Sequence, residues 1–172
     1  MGGVVVRRAG EDDRAVLERL WLMFRHDMSE FSTAALPEPD GSFRDERLRA
    51  ALGDPGWAAY LMAGDGRPVG FALVRGVDAD TRVLNSFFVV RGARRAGVGW
   101  DAVHDVLARH PGAWEIAFQD TNAKAVRFWR RLAADVAGDA WTEVRRPVPG
   151  EPDIPPDVWI SFTVEERGAP AG

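Results

Sequence analysis

The chain contains no cysteine. Disulfides, thiolate metal sites and a cysteine acyl-enzyme are therefore excluded, although the compartment is not fixed by that absence. A basic excess is missing too. The net charge is −4 and the pI is near 5.4, whereas a protein that grips nucleic acid with its whole surface is usually basic. Any cationic site must be local, and no nucleic-acid partner is expected. No apolar run approaches the length of a membrane helix, so no membrane partner is expected either. The opening "MGGVVVRRAGEDD" holds an apolar run too short for a signal peptide. The expectation is a soluble, cytoplasmic protein. No His, Asp or Glu spacing suggests a metal. Internal repeats are absent, and no linker divides two cores.

What is present is globular: 46% hydrophobic and 28% charged over 172 residues, enough for one sizeable core. A single domain over 1–166 is expected, with a frayed tail at 167–172. "GVVVRRA" (3–9) reads as a strand. In "EDDRAVLERLWLMFRHDM", Val16, Leu17, Leu20, Met23 and Phe24 recur at helical spacing behind an acidic first turn. "TAALPEPDG" is a loop, and "SFRDERLRAALGD" is a short helix capped by Ser42 and ended by Gly53. Two apolar runs around Asp65-Gly66 are a hairpin. "TRVLNSFFVV" is a third apolar strand and "GWDAVHDVLARH" a helix. "AWEIAFQ" is a strand, "NAKAVRFWRRL" a helix, and "AWTEVRRPV" and "DVWISFTVE" are final strands. The order β-α-α-β-β-β-α-β-α-β-β implies an α/β fold, a mixed sheet with helices on its faces. The helix between "FFVV" and "WEIAF" makes those two strands parallel neighbours.

Chemistry enters at "RGARRAGVGWDA" (91–102). Arginines and a Gly-x-Gly lie between a strand and a helix start. First-turn amides lack partners, and the helix dipole adds positive charge. Glycines let the backbone approach an anion, and arginines pair with phosphate oxygens. The composition is that of a diphosphate site, or of a Gly-rich turn with solvated arginines. One phosphate reading is a dinucleotide. "GVGWDA" fits Gly-x-Gly-x-x-Ala, and Asp120 ends the next strand ~20 residues on, where a ribose-binding acid would stand. Against it, several residues separate the strand from the first glycine, and strands and a helix pair precede the motif. A P-loop fails because Trp100-Asp101 stand where Lys-Ser/Thr is needed.

The other reading is coenzyme A. "FFVVRGARRAGVG" resembles the acyl-CoA-binding segment of the GNAT N-acetyltransferase superfamily, with signature Arg/Gln-x-x-Gly-x-Gly/Ala; Arg94, Gly97 and Gly99 fill it. "NAKAVRFW" resembles the second signature, through Asn122, Ala125 and Trp129. The element order is also that of the family, and the resemblance spans nearly the whole chain. It implies a GNAT-like, mostly antiparallel mixed sheet with a parallel strand pair at the cofactor slot, flanked by about four helices. It implies acetyl-CoA as co-substrate, a small-molecule amine as acceptor and no metal. Amides of Arg95, Ala96, Gly97, Val98 and Gly99 would hold the pyrophosphate. The strand end at Phe88 and Val89 would pair with the pantetheine arm, Asn122 would bond it from the other side, and Trp100 and Trp129 would flank the slot. Phe87, Val90 and Phe128 read as core. Arg127, Arg130 and Arg131 read as a solvated helix face. Oligomeric state is left open, a homodimer included.

The chain departs from its relatives at the catalytic groups. Many relatives carry an acid tyrosine where Trp129 stands, and an indole N–H does not usefully titrate. A carboxylate often lies on the strand before the phosphate turn, where "VLNSFFV" has Asn85 and Ser86; the single tyrosine, Tyr60, is on an early strand. Candidates for proton transfer are His26, Asp27 and Glu30 in "FRHDMSEF", a His with adjacent acids at a helix end. His104 and His110 read as surface residues. Loss of both usual groups leaves a second expectation open, an acyl-CoA-binding module without catalysis.

Overall fold

Each β-branched or aromatic run becomes a strand, and each stretch with apolar residues at three- and four-residue spacing becomes a helix. The computed structural model describes residues 3–166; the tail read as frayed, 167–172, lies outside the described residues. In chain order the elements are β1 (Val4–Arg8), α1 (Arg14–Met28), α2 (Glu46–Gly53), β2 (Trp57–Gly64), β3 (Arg67–Arg75), β4 (Thr81–Val89), α3 (Val98–Ala108), β5 (Gly112–Phe118), α4 (Ala123–Ala137), β6 (Thr142–Arg146) and β7 (Asp157–Val164). The seven strands form one sheet in the order β1-β2-β3-β4-β5-β7-β6. Every pair is antiparallel except β4 and β5, which run parallel with α3 as their crossover. The β2–β3 hairpin turns at Asp65 and Gly66 with φ +49° and +73°, the two left-handed residues that a type I′ turn needs.

Two cores sandwich the sheet. On one face, Val103, Val106 and Leu107 of α3 and Leu132 and Ala133 of α4 pack on Tyr60, Met62, Ala72, Trp114, Ile116 and Ile160. On the other, Leu17, Trp21 and Phe24 of α1 and Leu48 of α2 pack on Leu61, Phe71, Leu73 and Phe88. Phe71 is fully buried and stacks edge-on against Phe24 at 5.6 Å; truncating such a ring costs roughly 3–5 kcal/mol. α1 and α2 lie over β2 and β3. They leave the same face of β5, β7 and β6 uncovered. Strand alternation puts Glu115, Trp159, Ser161 and Arg146 there.

Three local expectations change. Ser42 does not cap α2. Its amide and hydroxyl both donate to Asp40 Oδ1, at 3.0 and 2.7 Å, in a turn of their own, and the helix begins at Glu46. α4 runs five residues past Leu132 to Ala137, because "AADVA" is alanine-rich and the first breaker is Gly138. His110 is not a surface residue. Its ring is half-buried, with Nε2 2.5 Å from the Tyr60 hydroxyl, and burial is the main influence lowering its pKa.

Candidate active site

β4 and β5 separate part-way along. Their pairing runs only from Thr81–Ala113 to Leu84–Ile116, yet β4 continues to Val89 and β5 to Phe118. The cause is local. The β3–β4 register shifts between Leu73 and Val74, leaving Asn85 as an extra residue, and a bulge bends its strand. β4 stays with β3 and its other edge is released. The Val90 amide donates to Val69 O at 2.8 Å, so by alternation the Phe88 peptide also faces β3 and the Val89 peptide faces the splay. A Cβ on Gly70 would sit 2.2 Å from Phe88 O, so this close approach needs glycine there. Of the two residues expected to offer backbone to a ligand, Val89 is the one whose peptide faces the splay, and its carbonyl accepts from Arg94 at 2.7 Å. Phe88 turns its ring toward Phe24 and Phe71 under α1.

Past β4, a 3-10 turn (Arg91–Ala96) runs into Gly97 at φ +75°, which redirects the chain into α3. The helix ladder opens with the Trp100 and Asp101 amides, both donating to Gly97 O at 3.0 and 3.1 Å. The amides of Val98 and Gly99 precede that ladder, at the positive end of the helix dipole. A Cβ on Gly99 would meet Val89 Cγ2 at 3.7 Å, Phe87 Cε1 at 3.8 Å and Phe128 Cε2 at 4.0 Å. Gly99 thus leaves a bare spot at the head of the splay, beside unpaired amides. Leading amides at a helix start are groups that could hold an anion. Arg95 and Ala96 are exposed on the crest of the turn, while Val98 is buried.

Arg94 is already engaged. Its Nε donates to Val89 O at 2.7 Å, and a terminal nitrogen donates to the Asp27 carboxylate of α1. Arg91 adds two bonds to Asp27 Oδ1, at 3.1 and 2.8 Å. Burial alone would raise the Asp27 carboxyl, but the bonds from Arg94 and Arg91 outweigh it and hold it below the usual range. Asp27 therefore pins the turn. Among the described residues no hydrogen bond or ion pair joins His26, Asp27 and Glu30, and His26 and Glu30 are exposed.

The α4 side of the splay is aromatic. Trp129 is 8% exposed and packs edge-on against Phe128 and Phe87, with centroids at 4.7 and 5.5 Å. Trp100 meets Phe128 at 6.0 Å, and Arg131 lies 4.5 Å over the Trp100 ring. Arg130 is not merely solvated, since it makes a bidentate pair with Glu143. Asn122 caps α4 by accepting from the Ala125 amide at 3.1 Å, which leaves its Nδ2 free to donate. Asp120, the residue a dinucleotide reading would use, pairs with Arg145.

The uncovered sheet face supplies charges that the sequence reading gave no role. Cross-strand partners place Arg75, Val83, Glu115 and Ser161 in one row. Glu115 takes two bonds from Arg146, at 3.1 and 2.7 Å, which hold its pKa down. Asp157 stands at the open end of the splay. It accepts from Gln119 Nε2 at 3.1 Å, and burial pushes its pKa up. Arg47 of α2 has solvent access, yet surrounding protein is the main influence on its guanidinium, lowering its pKa, with Asp157 and Arg75 in range. The polar period-two pattern Asp157-x-Trp159-x-Ser161 was the readable signal for this face.

The acetyltransferase (GNAT) family matches residues 17–134, from α1 to α4. The chain belongs to the GNAT acetyltransferase family. GNAT structures share its fold over almost the full length. The ribosomal-protein-S18-alanine N-acetyltransferase from Escherichia coli superposes with a TM-score of 0.64 at 13% identity, covering 98% of this chain and 99% of that one. An acetyltransferase from Thermus thermophilus gives 0.64 at 18% identity, covering 95% and 98%. A GNAT-family acetyltransferase from Staphylococcus aureus gives 0.63 at 12%, covering 95% and 100%. No curated protein matches the chain. Ser86 on β4 is 3% exposed and donates to Asn85 Oδ1 at 3.3 Å. Among the described residues no group of three metal-binding side chains occurs, and no helix is long and apolar enough to cross a membrane.

Proposed function

We propose that the chain is an acetyl-CoA-dependent N-acetyltransferase that acts directly on a small-molecule amine. The observation that carries this reading is the bare Gly99 spot at the head of the β4–β5 splay, beside the leading amides of α3. Acetyl-CoA supplies the acetyl group as a thioester; the amine nitrogen bonds to its carbonyl carbon, the carbon–sulfur bond breaks, and the amine's surplus proton balances the departing thiol. The amides from Arg95 through Gly99 face the diphosphate, with Arg95 adding charge. Arg94 is a positioning residue that fixes the turn to β4 and α1. The Val89 peptide and Asn122 Nδ2 hold the arm from its two sides. Ala125, Trp129 and Trp100 keep the α4 side of the slot free of water.

The amine arrives as an ammonium and must lose a proton before it attacks. Asp157 takes that role in this proposal. Burial raises its pKa toward a useful basicity, and Gln119 orients it. His26 is the alternative base, on the side of the phosphate turn. A small acceptor is supported by the Arg44–Glu151 ion pair at 3.6 Å, which ties the loop before α2 to the β6–β7 loop beside the uncovered face. The Escherichia coli relative is named for a protein alanine, so a polypeptide acceptor is the contrast to test.

The experiment is a thiol-release assay with product mass over amines and peptides. Release of CoA with a product heavier by one acetyl group is expected. CoA binding without transfer to any amine would instead make this a binding module, the reading that Ser86 and Trp129 favour. NADH binding in preference to CoA would make it a dinucleotide protein.

A further inference from the structure

The extra residue of β4 falls where β4 and β5 part. Leu73 pairs with Ser86 and Val74 with Leu84, so Asn85 has no partner on β3. Leu84 is also the last β4 residue paired to β5, through Ile116. Leu84 and Phe87 both join the core under α3 and α4. The two residues between them therefore share the opposite face, as in a bulge. Leu73, the partner of Ser86, packs on that opposite face. The Ser86 hydroxyl donating to Asn85 Oδ1 agrees with this, since the two side chains meet.

That hydrogen bond orients the amide. Ser86 is buried, and its hydroxyl has no other acceptor among the described residues. An amide whose oxygen is taken presents its nitrogen on the other side, with two hydrogens to donate. Asn85 is half-buried, yet its Nδ2 is not closed off from solvent, and no group among the described residues accepts from it. One step past the Leu84–Ile116 pair on β5 stands Ala117, which offers only a methyl group across the gap. The vertex of the splay thus carries an oriented donor with nothing to bond.

A thioester arm that enters at the start of α3 and lies along the released edge of β4 runs toward this vertex. From Val89 to Asn85 it covers ~13 Å of extended strand. It can go no further, because β4 and β5 are hydrogen-bonded beyond. The reacting carbonyl is carried at the end of the arm. Attack by an amine puts negative charge on the carbonyl oxygen, and a fixed donor beside that oxygen acts more strongly in the transition state than in the ground state.

Resting on the acetyltransferase reading, we infer that Asn85 Nδ2 donates to the thioester carbonyl oxygen and stabilises the oxyanion, with Ser86 as the positioning residue that holds the amide. The amine nitrogen bonds to the carbonyl carbon, and the π pair moves onto the oxygen facing Nδ2. Return of that pair breaks the carbon–sulfur bond, and the surplus proton of the nitrogen balances the departing thiolate. Asn85 neither gives nor takes a proton.

The test reads the carbonyl itself. Acetyl-CoA labelled with carbon-13 at the thioester carbonyl is bound to wild type and variants. Isotope-edited infrared difference spectra follow its stretching band, and calorimetry gives the Kd. In the wild type the band should move to lower frequency on binding. Asn85→Ala should lose most of that shift with the Kd for acetyl-CoA little changed, and kcat with a good amine acceptor should fall about 10²–10³-fold while KM moves little. Asn85→Asp keeps the shape but replaces the donor with an acceptor, and should lose the shift as well. Ser86→Ala should shrink the shift, because the amide is no longer held to one orientation. An unshifted band in a wild type that binds acetyl-CoA would overturn the inference, as would a full shift in folded Asn85→Ala or Asn85→Asp; the cofactor site would stand in each case. A full shift in Ser86→Ala would overturn the positioning role of Ser86. Failure of the wild type to bind acetyl-CoA would instead take down the acetyltransferase reading itself.

Discussion

Arg94 and Asp27 form an ion pair that ties the phosphate turn to α1, and the same guanidinium donates to Val89 O. The turn is thereby held open before any ligand arrives. Lysine keeps the charge but cannot bridge both acceptors. Arg94→Lys should therefore weaken acetyl-CoA binding about as much as Arg94→Ala, roughly tenfold, with kcat changed less than KM. Titration calorimetry checks this. A lysine variant that binds like wild type would show that charge alone matters and that the bridge does not.

Asp157 should control the acid limb of activity. Its pKa is raised, mainly by burial, so the carboxylate becomes available as base only as pH climbs through that raised value. Rate should rise with pH there. Asp157→Asn should lower kcat/KM by about 10²–10⁴-fold, and the loss should shrink at high pH, where the amine deprotonates unaided. His26→Ala run in parallel distinguishes the two candidate bases. If His26→Ala flattens the limb and Asp157→Asn does not, the proton goes to the histidine.

Asp13 should set part of the acid stability. Two bonds from Arg7, at 2.8 and 2.6 Å, and one from the Gly10 amide at 3.1 Å lower its pKa from 3.8 to about 2. A depressed folded value means that the contribution is complete above the unfolded pKa and is lost as pH falls through about 2. Arg7 is half exposed, so the contribution is on the order of 1 kcal/mol. Asp13→Asn should lose that much near neutral pH and converge with wild type near pH 2, as denaturant titrations at several pH values would register.

Trp129 should report on the slot. Its ring contacts Phe87, which flanks Gly99. CoA should perturb the intrinsic fluorescence, and Trp129→Phe should remove much of that response while the protein stays folded. An undiminished signal would assign the change to Trp100.

Much of this was legible in the sequence, for physical reasons. Period-two and period-3.6 patterns set the strands and helices. The crossover rule set the parallel β4–β5 pair. Gly97 marked the turn into α3, because few other residues adopt its φ of +75°, and Gly99 marked a position at the helix start with no side chain. Side-chain commitments were not legible. Asp27 reads as a catalytic acid beside His26 until its partners appear, and both partners lie more than sixty residues away. Arg75, Val83, Glu115 and Ser161 come from four separate strands and share a row only through sheet register, which no local pattern encodes. His110 likewise reads as a helix-end residue until β2 brings Tyr60 to it.

Gly99 gives the most direct test. Gly97 is a poorer choice because φ +75° strains any L side chain whatever the space. Gly99 has no such backbone demand, and a Cβ there meets only ordinary contacts. Gly99→Ala should fold and bind nearly as wild type. Gly99→Leu should fold with little change in Tm but fill the head of the splay. The decisive measurement is calorimetric titration of acetyl-CoA into wild type and Gly99→Leu. The account predicts saturable binding to the wild type and none to the leucine variant; equal affinities in two folded proteins would contradict it.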